Sequence, residues 1–216
     1  MDSPNIDIRQ QMDNIYRNMK PEDIPWNQPG PPDLLVEAVH SGRIKPCRAA
    51  DLGCGAGNYA VWMAQQGFDM TGIDISTHAL MLAEALAREK NVSCRFVQAD
   101  LLGGLDDFHE SFDFAYDYEL LHHIYPEDRP AYVKTAHNVL KPGSLHLSVC
   151  FSEQDPGFGG GEKFRTTPIG TVLYFSSEEE LEKLFEPYFE ILELSTREIH
   201  GKRAPHMANV AWLKRK

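Results

Sequence analysis

The chain has 216 residues, of which 42% are hydrophobic and 25% charged, and this composition fits one globular domain with a sizeable core. Its formal net charge of −11 argues against nucleic acid or an anionic membrane surface as a partner, because either would be bound through a basic face. We therefore expect a small-molecule partner. Composition leaves the oligomeric state open.

Targeting and cysteine signals are weak. No apolar run approaches the roughly 18–20 residues of a membrane span, and the N-terminus lacks the basic and apolar blocks of a signal peptide, so we expect a cytoplasmic protein. The four cysteines form no C-x-x-C pair, which argues against zinc and thioredoxin-type chemistry. We predict no metal site.

Predicted strands and helices alternate through the middle of the chain. An N-terminal helix, the Pro-rich segment "PEDIPWNQPGPP" and a helix from about Asp33 to Ser41 come first. Strands are then predicted at "CRAADLG", "DMTGIDI", "CRFVQAD", "FDFAYDYE" and "SLHLSVCF". Helices are predicted at "NYAVWMAQQG", at "THALMLAEALAREK" with Ser76 as N-cap, and at "EDRPAYVKTAHNVL". This order predicts an α/β fold with a doubly wound, mostly parallel sheet.

The alternation of predicted strands and helices stops after Phe151. A polar segment rich in glycine is predicted as a long loop, and Ser177 with Glu180 forms a capping box before a further helix. Two late strands with a turn at about 201–205 predict a hairpin. We expect a single domain in four parts: an N-terminal helical cover (1–45), a ligand-binding core (46–151), a Gly-rich loop (152–175), and a C-terminal helix with the hairpin (176–216).

The stretch "AADLGCGAGNYA" reads as a strand that enters a glycine turn and then a helix, which places the turn where doubly wound proteins bind ligands. A dinucleotide fingerprint needs G-x-G-x-x-G, but Gly53, Gly55 and Gly57 bring the third glycine one position early. Asp51, directly before the turn, would also repel a pyrophosphate. The same carboxylate would favour S-adenosylmethionine, which carries a sulfonium and an α-ammonium group. Asp74, which ends the second strand, can accept ribose hydroxyls of either ligand.

Five motifs in order, over roughly residues 48–151, resemble the class I S-adenosylmethionine-dependent methyltransferases. They are "DLGCGAGN", "GIDIS", "QADLL", "FDFAYDYELLHHI" and "HNVLKPGSLHLSV". The resemblance implies a seven-stranded Rossmann-like sheet with an antiparallel C-terminal hairpin. It implies that Asp74 binds the ribose, that Asp100 and Leu101 meet the adenine, and that Tyr118 lies near the methionine part. The implied cofactor-binding residues are Trp26, Asp51, Gly53, Gly55, Gly57, Asp74, Ile75, Asp100, Leu101 and Tyr118.

The flanks resemble a smaller group, the thiopurine, halide/thiol and tellurite-resistance methyltransferases. In that group a Trp such as Trp26 packs near the cofactor. Asp117 matches the Asp of its W-D-R-G pattern, but Tyr118 and Glu119 replace the Arg and the Gly. The acceptor does not follow from this likeness.

We expect methyl transfer to a small-molecule acceptor, such as a thiol, a chalcogen or another soft nucleophile. The alternatives are a small O- or N-nucleophile with a His base, a non-catalytic S-adenosylmethionine-binding protein, and a Rossmann oxidoreductase. Candidate catalytic residues are His122, His123 and Asp117. We further expect the segment around Trp26 and the Gly-rich loop to form mobile covers over the carboxyl edge of the sheet.

Overall fold

The computed structural model describes residues 7–216, so the first six residues of the predicted N-terminal cover lie outside it. The strands are β1 (Arg48–Leu52), β2 (Asp69–Asp74), β3 (Cys94–Gln98), β4 (Phe112–Tyr118), β5 (Leu140–Phe151), β6 (Phe164–Thr166), β7 (Val172–Tyr174), β8 (Phe189–Ile199) and β9 (His206–Arg215). The helices are α1 (Ile8–Asn18), α2 (Asp33–His40), α3 (Asn58–Gln65), α4 (Thr77–Lys90), α5 (Arg129–Val139) and α6 (Glu178–Phe185). Short 3-10 turns lie at Pro21–Asp23, Asp106–Phe108, Leu121–His123 and Gly157–Gly159.

Seven strands form one sheet in the order β3-β2-β1-β4-β5-β9-β8. The five strands β1 to β5 are parallel, and β9 enters antiparallel between β5 and β8. The predicted doubly wound sheet with a C-terminal hairpin is therefore confirmed. Apolar clusters cover both faces, one containing Met63 and Trp212 and the other containing Tyr132 and Phe185.

Local capping fixes two helix starts where the sequence predicts them. The Ser76 hydroxyl accepts a hydrogen bond from the backbone N–H of Ala79 at the start of α4. The capping box of Ser177 and Glu180 is present at the start of α6. Each bond satisfies an N–H group that the first helical turn leaves without an intrahelical partner. Within the described part of the chain, no helix has the length and apolar character needed to cross a membrane.

The Gly-rich segment is more ordered than a plain loop. Strands β6 and β7 pair antiparallel in a small separate sheet. The buried Arg165 lies with its guanidinium carbon 3.9 Å from the centre of the Phe175 ring. That guanidinium donates hydrogen bonds to backbone carbonyls of Glu153, Asp155, Gly157 and Glu162. One cation thus satisfies carbonyls of a segment that has little regular structure of its own.

The late hairpin contacts the segment that contains Trp26. The Nζ of Lys202, in the turn between β8 and β9, donates to the backbone carbonyls of Pro21, Ile24 and Asn27 at 3.4, 2.9 and 3.0 Å. These carbonyls lie in the segment that runs from the 3-10 turn at Pro21–Asp23 to the residue after Trp26. The hairpin therefore holds the Trp26 segment in place from the opposite end of the chain.

Replacing Lys202 with Met keeps the aliphatic stem but removes all three of these hydrogen bonds. We expect Lys202→Met to speed amide hydrogen exchange at Asn27 and Gln28, whose N–H groups bond within the same turn. Exchange in the central strands should not change. Arg203→Met is the matched control, because Arg203 is an exposed cation on the same turn. Equal exchange in both variants would show that Lys202 does not hold this segment.

Candidate active site

A cavity of about 420 Å³ lies at the carboxyl ends of the central parallel strands. Acidic or aromatic residues from four successive strand ends line it, namely Asp51, Asp74, Asp100 and Tyr118. Parallel strands bring their carboxyl ends to one edge of the sheet, where ligands of doubly wound folds bind. The volume is in the range of small-molecule and cofactor sites.

The glycine turn between β1 and α3 forms one wall of this cavity. Gly55 has φ +52°, and a Cβ atom there would lie 2.5 Å from the Tyr16 hydroxyl oxygen. Gly57 has φ +77°, and its Cβ would lie 2.6 Å from the Cβ of Ala83 in α4. Both positions therefore require glycine because of conformation and close approach. Gly53 and Gly55 line the cavity, whereas Gly57 packs against α4 and does not.

Asp74 links the glycine turn to the start of α4. Its Oδ2 accepts a hydrogen bond from the Gly55 N–H and its Oδ1 accepts one from the Ser76 N–H, both at 2.8 Å. Burial raises the pKa of Asp74, while these backbone bonds oppose the rise. Each carboxylate oxygen keeps a further lone pair, so the group can still accept hydroxyl donors from a ligand in the cavity.

Asp51 carries the clearest unused bonding capacity in the site. Its Oδ2 and the hydroxyl of Tyr116 are buried, and neither makes a hydrogen bond of good geometry with the rest of residues 7–216. Burial raises the pKa of Asp51 to about 7, opposed by the nearby Tyr116 hydroxyl. The Tyr116 hydroxyl is thus the nearby donor for the buried side of this carboxyl group, and Asp51 also lines the cavity.

The residues predicted to meet the adenine lie at the edge beyond β3. These residues, Asp100 and Leu101, line the cavity together with Ala99 and Leu102, and Ile75 after β2 lines it as well. Asp100 Oδ1 accepts a hydrogen bond from the Leu102 N–H at 2.9 Å, which orients an exposed carboxylate. Apolar side chains beside an oriented acceptor suit a flat ring that carries an amino group.

The N-terminal segment covers the cavity from the other side. Trp26 lines it, and its Nε1 donates to the Tyr16 hydroxyl at 2.8 Å. Trp26 also meets His123 edge to face, with ring centres 5.4 Å apart. Asn58 at the start of α3 donates to the Asn27 side-chain oxygen. The predicted Trp26 cover therefore lies over the cavity. None of residues 152–175 lines it, which differs from the prediction for the Gly-rich loop.

Two of the three predicted catalytic candidates lie outside the cavity. Asp117 is fully buried, and its carboxylate accepts hydrogen bonds from the Tyr132 and Ser148 hydroxyls and contacts His146. Its side chain faces away from the cavity because neighbouring residues on β4 point to opposite sides of the sheet. We therefore withdraw Asp117 as a candidate.

Of the two candidate histidines, one lies outside the cavity and the other lines it. His122 is buried, stacks on Phe151 and accepts a bond from that residue's N–H, so we withdraw it as well. His123 does line the cavity. Burial lowers the pKa of His123 to about 4, so its ring is neutral at pH 7.

The structure adds cavity residues that sequence reasoning missed. They are, among others, Tyr16, Asn27, Tyr59 and Glu119. Glu119 directly follows β4 with φ +65°, a conformation that few residues other than glycine adopt. The only signal for it in the sequence is the departure from W-D-R-G at this position.

The cavity is strongly acidic. The carboxylates of Asp7, Asp51, Asp74, Asp100, Glu119 and Asp128 line it, and Arg9 is the one Lys or Arg among its described lining residues. S-adenosylmethionine carries a net positive charge and fits this wall, whereas a pyrophosphate would be repelled. Across residues 7–216, no group of His, Cys, Asp and Glu side chains is arranged to hold a metal ion.

Comparison with known proteins agrees with this geometry. Residues 49–143 match the family model described as a methyltransferase domain. Thiocyanate methyltransferase 1 from Brassica oleracea and from Arabidopsis thaliana are 31% and 34% identical, over 69% of this chain and 66% of each relative. A ubiquinone biosynthesis O-methyltransferase from Photorhabdus laumondii is 29% identical over 55% of this chain and 49% of its own length.

A solved structure from work on conversion of a disulfide bond into a thioacetal group during echinomycin biosynthesis superposes with a TM-score of 0.82. It is 23% identical, and the match covers 97% of this chain and 93% of that one, so it shows the shared fold. The chain thus spans about two thirds of the thiocyanate relatives and about half of the O-methyltransferase. Its motifs, sheet order, cavity and relatives agree, and the chain belongs to the class I S-adenosylmethionine-dependent methyltransferases.

Proposed function

We propose that this protein transfers the methyl group of S-adenosylmethionine to a small-molecule acceptor that carries a thiol or another soft nucleophile. The observation that carries the proposal is the acid-lined cavity at the glycine turn, where Asp51 at the end of β1 is among the lining residues. A ligand that carries a net positive charge suits a lining of this kind.

The cofactor supplies an already activated methyl group on a sulfonium centre, so the protein's contribution is chiefly positioning and exclusion of water. Asp51 would hold the cationic methionine part and Asp74 the ribose hydroxyls. Asp100 and Leu101 would hold the adenine. Trp26, bonded to Tyr16, would keep water from the cavity.

The acceptor class is inferred from relatives and from charge. Two relatives are named for thiocyanate methylation, and the structure with the same fold comes from work on disulfide and thioacetal chemistry. Both names point to sulfur. The acidic lining would repel an anion such as thiocyanate, so a neutral thiol is the better fit for this chain.

A small O-nucleophile is the second candidate, because one relative is named as an O-methyltransferase and His123 lies in the cavity as an available base. A non-catalytic binder is a third, since it would have the same cofactor residues.

Turnover of methyl-labelled cofactor with separate panels of thiols, phenols and amines tests the proposal. We expect label in the thiol products above the rate without enzyme. Label in phenols alone would favour the hypothesis of an oxygen nucleophile as the acceptor. Tight binding of cofactor with no transfer to any panel would favour the non-catalytic binder.

Cofactor choice gives a direct binding prediction. We expect S-adenosylhomocysteine to bind with a micromolar or lower Kd, which is about −8 kcal/mol, and NAD to show no measurable binding by calorimetry. The reason is the carboxylate of Asp51 beside the turn, which repels a pyrophosphate. Tighter binding of NAD would overturn the methyltransferase proposal.

Replacing Asp74 with Asn removes the charge that would strengthen two ribose hydrogen bonds. Charge-assisted bonds contribute about 1.5–3 kcal/mol each, so Asp74→Asn should weaken S-adenosylhomocysteine binding at least about tenfold. The melting temperature should also fall, because the same carboxylate accepts the Gly55 and Ser76 N–H groups. Asp69→Asn, at the exposed start of the same strand, is the control and should change neither value. Wild-type affinity in Asp74→Asn would mean that the ribose lies elsewhere.

A further inference from the structure

Glu119 is a cavity carboxylate with no assigned partner. It follows the last residue of β4 and lines the cavity beside Tyr118. Its backbone N–H donates to the Val149 carbonyl at 2.8 Å, which holds the residue in the left-handed region at φ +65°. Its carboxylate makes no hydrogen bond or ion pair with any residue in 7–216. The side chain is only partly exposed.

The backbone at this position would suit glycine better than glutamate. Glycine adopts positive φ without a steric cost, and the W-D-R-G pattern that this segment resembles has glycine there. The chain instead has an acidic side chain on a strained backbone, directly after the end of β4 at the cavity. Strain of this kind at a ligand site indicates that the side chain itself has a role.

We propose that Glu119 is the base that accepts the proton of the acceptor's thiol group during methyl transfer. This inference rests on the proposed function. The thiol S–H bond breaks, its proton passes to the Glu119 carboxylate, and the sulfur electron pair forms the new bond to the methyl carbon. The methyl carbon's bond to the sulfonium breaks, and that electron pair stays on the cofactor sulfur. The products are a methyl thioether, S-adenosylhomocysteine and a protonated Glu119.

The basicity of Glu119 suits this step. Burial raises the pKa of Glu119 to about 7, close to the operating pH and below that of an ordinary alkyl thiol, which is about 8.5. Tyr59 from α3 and Tyr118 from β4 are the titratable groups that interact electrostatically with Glu119, and Asp51 from β1 and His123 from the turn after β4 line the same cavity. The two tyrosines stay neutral, because burial raises their pKa values well above the ordinary range.

Two other groups in the cavity could compete as bases, Asp51 and His123, and the proposed function assigns Asp51 to the cofactor. The pKa of His123, about 4, makes its neutral ring a much weaker proton acceptor than the Glu119 carboxylate. The other histidine of the pair, His122, is held against Phe151 outside the cavity. The carboxylate is therefore the better match to a protonated thiol.

Two thiols of different acidity separate a base from a merely structural residue. Benzyl mercaptan is protonated at pH 7 and needs a base, whereas 4-nitrothiophenol is already ionised and does not. Because the acidic lining raises the KM of this anion, kcat is compared at saturating concentrations of each thiol. With saturating cofactor, we expect Glu119→Gln to lower kcat for benzyl mercaptan by about 10²-fold, and to leave 4-nitrothiophenol within about threefold of wild type. The wild-type kcat for benzyl mercaptan should rise with pH through the carboxyl pKa near 7, since only the ionised form accepts a proton, and this rise should vanish in Glu119→Gln.

Two further variants keep the result interpretable. Glu119→Gly relieves the positive φ, so it should melt no lower than wild type while losing turnover of benzyl mercaptan. His123→Gln should retain the rise of kcat with pH. Binding of S-adenosylhomocysteine should be similar in all three variants.

The results separate an error in the proposed acceptor class from an error in the role assigned to Glu119. If the wild type methylates neither thiol, the proposed acceptor class is wrong and the role of Glu119 as a thiol base fails with it. If the wild type methylates both, but Glu119→Gln slows both equally or weakens S-adenosylhomocysteine binding by the same factor, the function stands and the base assignment is overturned. Loss of the pH dependence in His123→Gln alone would move the role to His123.

Discussion

The carboxylate of Asp74 is the interaction on which the site depends. It joins two strand-to-helix turns by accepting one backbone N–H from the glycine turn and one from the start of α4. The N–H groups of Gly53 and Cys54 add a second link, because both donate to the Ile73 carbonyl at the end of β2. With Asp74 between them, the wall that Gly55 forms and the edge that Ile75 forms keep a fixed separation. The cavity therefore has a rigid floor before any ligand enters.

The cover over that floor comes from the two ends of the chain. The α1 helix reaches α4 through Asp13, whose carboxylate accepts the Ser76 hydroxyl and the His78 N–H. From the other side, the ammonium of Lys202 in the late hairpin donates hydrogen bonds to the backbone carbonyls of Ile24 and Asn27 on either side of Trp26. The hairpin is thus more than an edge of the sheet, since it positions the lid residues of a site formed by the first half of the fold.

Short-range patterns predict much of this molecule. Alternating strands and helices, two capping residues and the position of acids at strand ends place Asp51, Asp74 and Asp100 at the cavity. Side-chain direction is harder to predict. Asp117 and Tyr118 are neighbours, yet the alternation of β4 sends Asp117 into a buried polar cluster while Tyr118 faces the cavity. Lys202 depends on contacts across most of the chain, and Tyr16 lies at the cavity through its approach to Gly55. The order around Arg165 depends on one buried cation, so no local pattern reveals any of the three.

The acidic lining of the cavity has a consequence for what happens after transfer. S-adenosylmethionine carries one more positive charge than S-adenosylhomocysteine, because the sulfonium becomes a neutral thioether. Carboxylates such as Asp51 attract the first more strongly than the second, and they do so most where water is scarce. The acidic lining that favours binding of S-adenosylmethionine therefore binds S-adenosylhomocysteine, the product of transfer, less strongly than it binds the substrate.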